Sequence, residues 1–118
     1  MVTGEYRKAG GARSTHAAME RLGYRSARQV LDAVSSRRLF TVQDNGANLY
    51  PAFQFDGGSV LSGMCDILEA TPNVSPWSIL RFMVVGDEGL GADLPMNLIR
   101  QGDEAIDRAV RFARTLGD

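Results

Sequence analysis

The sequence predicts a mainly α fold in which two short helices and a β-hairpin precede a compact helical domain. Three observations predict it. Ser14 or Thr15, and then Ser26, stand as caps ahead of two helical stretches separated by Gly23. Asn45-Gly46 lies between two β-prone runs. From Val60 onward, apolar residues recur at helical spacing.

The first thirteen residues carry Gly4, Gly10 and Gly11 without apolar periodicity, and the spacing predicts a flexible arm. A helix follows through His16, Ala17, Ala18, Met19, Glu20, Arg21 and Leu22, and Gly23 stops it because glycine tolerates positive φ. Ser26 caps a second helix, with Ala27, Val30, Leu31 and Val34 forming its apolar stripe. From Leu39 the period changes to two. Leu39, Phe40, Thr41 and Val42 lead through Asn45-Gly46 into Ala47, Asn48, Leu49 and Tyr50, and type I′ turns want the positive φ that Asn-Gly supplies. Pro51 argues against a central position for the second strand.

The remainder reads as helices. Val60, Leu61, Met64, Ile67 and Leu68 make one stripe, ended by Pro72. Ser75 caps a helix with Pro76 in its first turn and Trp77, Ile79, Leu80, Met83 and Val84 behind it. Gly86, Gly89 and Gly91 form a loop, Pro95 to Ile99 a short helix ended by Gly102, and Asp103 caps a last helix carrying Ile106, Val110, Phe112, Ala113 and Leu116. Trp77 is expected in the core between its own helix and the closing one, with Leu80 and Ile106 beside it.

A chain of 118 residues fits one domain, or two very small ones sharing a core. The expected division is an arm over 1–13, a helix-turn-helix with its hairpin over 14–55, and a helical partner-binding part over 56–118. An apolar share of 44% and a charged share of 23% are those of a folding chain, and disorder is excluded. The single cysteine, Cys65, excludes an intrachain disulfide and a closed zinc site. No apolar run reaches the ~18 residues of a membrane span, and no signal-peptide stretch opens the chain, so a cytoplasmic location without membrane contact is expected.

Catalytic constellations are thin, and no enzyme is expected. His16 is the only histidine, too little for a triad or a multi-histidine metal site. Cys65 sits in an apolar stripe, where an inert buried thiol is expected. Asp87 and Glu88 lack EF-hand spacing, and Gly86, Gly89 and Gly91 lack the lysine of a phosphate loop, so this stretch reads as a turn. No catalytic residue, metal or cofactor is assigned.

Charge divides along the chain. Residues 1–45 carry eight basic groups against four acidic ones, and residues 46–118 carry five against ten. Only the first half can gain by releasing counterions from phosphates. Helix, glycine turn, helix and hairpin is the order of a winged helix-turn-helix, whose second helix enters a major groove while the hairpin rests on phosphates. That order puts Arg25, Ser26, Arg28 and Gln29 at base edges, and Arg37, Arg38, Asn45 and Asn48 near the DNA backbone. A helix pair that merely supports the second half is the plainer alternative.

The stretch Tyr50-Pro51-Ala52-Phe53-Gln54-Phe55-Asp56, followed by Leu61, Ile67, Leu68, Ser75-Pro76-Trp77, Gly91, Pro95, Leu98 and Gly102, resembles the toxin-binding domain of the Xre/MbcA/ParS class of bacterial antitoxins. The resemblance covers residues 50 to 117. The preceding segment, with Leu22-Gly23-Tyr24-Arg25-Ser26-Ala27-Arg28 and Leu39-Phe40-Thr41-Val42, is similar to excisionase-like helix-turn-helix units.

The resemblance implies an antitoxin of a type II toxin-antitoxin system. Such a protein neutralises a cognate toxin, in some systems a RES-type toxin that acts on NAD, and represses its own operon by binding operator DNA, commonly as a homodimer. The partner surface is expected on Pro95, Leu98 and Arg100 and on the closing helix at Arg108, Arg111 and Arg114. The three closing-helix arginines, each three positions from the next, also suit the negative end of a helix dipole, which is a complete structural explanation of their own. The alternative function is an excisionase-like transcriptional regulator without a toxin partner.

Overall fold

The computed structural model describes residues 3–116. In chain order these are α1 (Thr3–Lys8), β1 (Ala12–Arg13), α2 (Thr15–Leu22), α3 (Ala27–Ser35), β2 (Val42–Asp44), β3 (Ala47–Pro51), β4 (Phe55–Asp56), β5 (Ser59–Val60), α4 (Ser62–Ala70), α5 (Pro76–Val85), α6 (Pro95–Leu98) and α7 (Asp103–Ala113). Single 3-10 turns cover Ala52–Gln54 and Glu88–Leu90. The fold is mainly α, with small antiparallel sheets.

Local chemistry explains most boundaries. The Ser14 hydroxyl accepts from the Ala17 N–H and starts α2, and Gly23 ends it at φ 71°. Ser26 and Gln29 form a reciprocal capping box at the start of α3. The β2–β3 hairpin turns at Asn45 (φ 53°) and Gly46 (φ 81°), the paired left-handed residues of a type I′ turn. Ser75 caps α5 through the Ser78 N–H, with Pro76 as its first residue. Asp103, read as a cap from the sequence, is instead the first residue of α7, and Gly102 holds the cap position at φ 116°.

The expected flexible arm is folded where it is described; Met1 and Val2 lie outside the described residues. Residues 3–8 form α1, Ala9 is buried, and β1 pairs with β3 through Ala12 opposite Pro51 and Arg13 opposite Tyr50. The physical reason is the free edge of β3, which β1 covers, giving the strand order β1-β3-β2. β3 is therefore central, contrary to the inference from Pro51. Proline is tolerated because it is the last residue of the strand, and the next N–H, of Ala52, donates to the Gly11 carbonyl at 2.9 Å.

Two apolar clusters hold the chain. The smaller joins Ala18, Val30, Ala33, Leu39, Tyr50 and Phe55; the larger gathers α4, α5, α6 and α7 around Met64, Ile67, Leu80 and Met83. Phe40, Val42 and Phe53 belong to the larger cluster, and Val60 packs against both. The hairpin is thus shared, and the division expected after residue 55 does not separate two cores. α4 approaches the segment after α6 closely at Gly63, where a Cβ would lie 2.8 Å from that of Ile99.

Trp77 is half-buried, and its nearest aromatic partner is Tyr6 of α1, with ring centroids 5.9 Å apart at 59°. The expectation of a tryptophan enclosed between α5 and α7 is corrected: it stands in the first turn of α5, where α1 packs.

Candidate nucleic-acid and partner surfaces

α3 is held from behind by Val30 and Ala33, the only two of its nine residues that are buried. Arg28, Leu31, Asp32 and Ser35 project to the opposite side, as a 100° step per residue requires. Arg28 Nε lies 3.8 Å from Asp32 Oδ1, an exposed pair of small energetic weight. The stripe Ala27, Val30, Leu31 and Val34 is only partly inward: Ala27 and Leu31 are exposed, and Leu31 keeps 49% of its surface in water.

The eight residues expected at DNA fall into two groups. Arg25, Arg28 and Arg38 are exposed, and Asn45 is exposed at the hairpin tip. Of the others, Ser26, Gln29 and Arg37 bond within the chain and Asn48 is half-buried, while the exposed Arg38 also donates from its Nε to the Ser36 hydroxyl at 2.9 Å. The Ser26 hydroxyl accepts from the Gln29 N–H, while Gln29 Oε1 accepts from the N–H groups of Arg25 and Ser26. Asn48 is half-buried in β3 opposite Gln43. Arg37, at φ 60°, donates from its two terminal nitrogens to the carbonyls of Leu68 and Pro72, each at 3.1 Å. It ties the end of α3 to the end of α4, so both terminal nitrogens expected near the DNA backbone are engaged within the chain. The sequence carried no signal for this role, which spans more than thirty residues.

The expected partner residues divide in the same way. Pro95 and Leu98 are buried, so they shape α6 from inside and cannot themselves touch a partner. Arg100 donates to the carbonyls of Phe53 and Phe55 at 2.8 and 2.9 Å, fastening α6 to the aromatic stretch. Arg108 pairs with Asp93 at 2.7 Å and donates to the Leu90 carbonyl, holding the loop before α6. Arg111 and Arg114 are exposed and form no ion pair among the described residues. Arg114 borders an open cleft of about 550 Å³ between α4 and α7, lined also by Asp66, Glu69 and Asp107. Burial first, then the charges of Glu69, Asp107 and Asp103, raise the Asp66 carboxyl above its ordinary pKa.

His16 is exposed and lies 2.9 Å from Glu20 one turn on. Cys65 is half-buried rather than enclosed; burial, then Asp66 and Glu69, push its thiol pKa up, and it donates weakly to the Arg38 carbonyl at 3.7 Å. A protonated thiol is a poor nucleophile. Asp87 accepts from the Gly89 N–H at 2.8 Å and builds the 3-10 turn there. Among the described residues no group of three or more His, Cys, Asp or Glu is placed to hold a metal, and no helix is long and apolar enough to cross a membrane.

No family model matches the chain, and no curated protein or solved structure matches it.

Proposed function

We propose that the protein is an antitoxin-like regulator that binds duplex DNA through α2, α3 and the hairpin tip, in the manner of a winged helix-turn-helix, and a toxin-like protein through its helical half. One observation carries the reading: α3, anchored by two buried residues and fixed by a capping box, presents a firm outward face with Arg25 and Arg28 exposed. A helix of that kind fits a major groove, and the basic excess of residues 1–45 favours polyanions on that side. The antitoxin part rests on the resemblance of residues 50–117. A homodimer in the cytoplasm, bound to a two-fold operator, completes the proposal.

The test is fluorescence anisotropy with duplex from the gene's own upstream region, at several salt concentrations, with and without the adjacent gene product. Affinity is expected to fall as salt rises, and Arg28→Ala to weaken binding. Arg37→Ala is expected to lower the melting temperature instead, since it holds two carbonyls. Absence of salt-sensitive binding at micromolar protein in both settings defeats the DNA reading.

A specific observation favours a second reading, an excisionase-like regulator without a toxin. Pro95, Leu98, Arg100 and Arg108 all serve the fold, which leaves a smaller free surface than the resemblance implies. Failure of the adjacent gene product to bind, with DNA binding intact, selects that reading.

A further inference from the structure

The outward row of α3 contains one residue that does not suit water. Leu31 and Val85 are the two large hydrophobic side chains exposed among the described residues, and Leu31 stands one turn from Arg28. A lone exposed leucine is ordinary. Its position on this row gives it meaning, because Ser26 and Gln29, the polar residues suited to base edges, are already engaged by the capping box.

We infer that Leu31 is a specificity-determining residue that contacts a thymine 5-methyl group in the major groove, beside a guanine bonded by Arg28. The inference rests on the DNA reading above. The thymine methyl is the one apolar feature on a major-groove base edge, whereas guanine O6 and N7 match an arginine fork. Residues three apart on a helix are separated by about 4.5 Å along its axis, against about 3.4 Å per base pair, so the two contacts fall one or two base pairs apart. Asp32, 3.8 Å from the Arg28 Nε, lies on the same row, and the exposed pair leaves the guanidinium free to reach a base.

The experiment begins with selection from a randomised duplex library by the wild-type protein. Anisotropy titrations of the selected duplex, and of the same duplex with deoxyuridine at the candidate thymine, are then run on wild type and Leu31→Ala. Loss of the methyl contact is expected to cost the wild type about fourfold in affinity. Leu31→Ala is expected to bind both duplexes equally with an unchanged salt slope, and circular dichroism checks its fold. If deoxyuridine weakens both proteins alike, or neither, the inference is overturned. It is also overturned if sedimentation shows that Leu31→Ala instead dissociates a dimer. A wild type that enriches no sequence and binds no duplex defeats the DNA reading itself, whereas salt-sensitive binding without a methyl effect removes only the role of Leu31.

Discussion

The side-chain amide of Gln54 bonds the backbone of Phe40 in both directions, Nε2 donating to its carbonyl and Oε1 accepting from its N–H, each at 2.8 Å. Gln54 is fully buried and donates also to the Pro51 carbonyl at 3.1 Å. A side chain thus takes the place of a neighbouring strand, satisfying two backbone groups that the hairpin leaves unpaired in the core. Gln54→Ala strands both, at about 1–3 kcal/mol for each buried orphan. The expected result is a lower urea midpoint. Gln54→Glu is expected to fall too, because an ionised carboxylate accepts from the Phe40 N–H but cannot donate to its carbonyl. A midpoint unchanged in Gln54→Ala means that water serves both groups.

What was legible in the sequence is what acts within four residues. The Ser26–Gln29 box, the Gly23 stop and the Asn45-Gly46 turn each depend on neighbours in the chain, so their chemistry is visible in the residue types. Contacts across the fold were not. Arg37 looks like any exposed arginine until α4 brings the Leu68 carbonyl to it, and residues 3–13 look mobile until the edge of β3 offers β1 a partner. Ala27, Val30, Leu31 and Val34 share a helical spacing, yet the core receives Val30 and Ala33; the phase of a stripe is set by what packs on it. Among the residues expected at a partner, the arginine spacing was visible but the acceptors Asp93, Phe53 and Phe55 were not.

Tyr6 and Trp77 make the docking of α1 measurable. Trp77 is the only tryptophan, and Tyr6 covers part of it. Tyr6→Ala is expected to shift its emission to longer wavelength and to lower stability by roughly 0.5–1.5 kcal/mol beyond the lost area. Tyr6→Phe keeps the ring and is expected to keep the emission. Trp77→Ala is expected to cost less than the roughly 3–5 kcal/mol of a fully enclosed aromatic, because Trp77 is half-buried. Unshifted emission in Tyr6→Ala shows that α1 does not cover Trp77 in solution.

Asp66 makes a pH-dependent prediction. Its folded pKa lies above the ordinary 3.8, through burial and then Glu69, Asp107 and Asp103. A raised folded pKa contributes stability that is fully present below the unfolded value and is lost as pH rises through the folded one. The neighbouring carboxylates Glu69, Asp107 and Asp103 therefore disfavour the charged form of Asp66 in the folded state, an effect that water weakens because Asp66 is exposed. Asp66→Asn is expected to raise the melting temperature at pH 7 and to lose that advantage below the ordinary aspartate range. An equal effect at both pH values assigns the gain to packing or helix propensity instead.

Arg111 and Arg114 are expected partner arginines that form no ion pair among the described residues. Arg100 and Arg108 hold carbonyls and Asp93, so their removal weakens the fold and reports on binding only indirectly. Arg111 and Arg114 are exposed, one turn apart at the end of α7. There they also favour the negative pole of the helix, an effect of about 0.3–1 kcal/mol that salt screens. Dipole stabilisation alone is a matter of charge, and lysine serves it as well as arginine. A partner pocket that receives a planar fork of donors distinguishes the two. Double replacement by Lys, compared with double replacement by Ala, separates these roles in a pull-down of the adjacent gene product alongside thermal melts. A partner role is expected to show as binding lost in both variants while the lysine variant keeps the wild-type melting temperature. Full binding by a folded Arg111→Ala, Arg114→Ala protein leaves the helix dipole as the reason for these two arginines and moves the partner surface elsewhere.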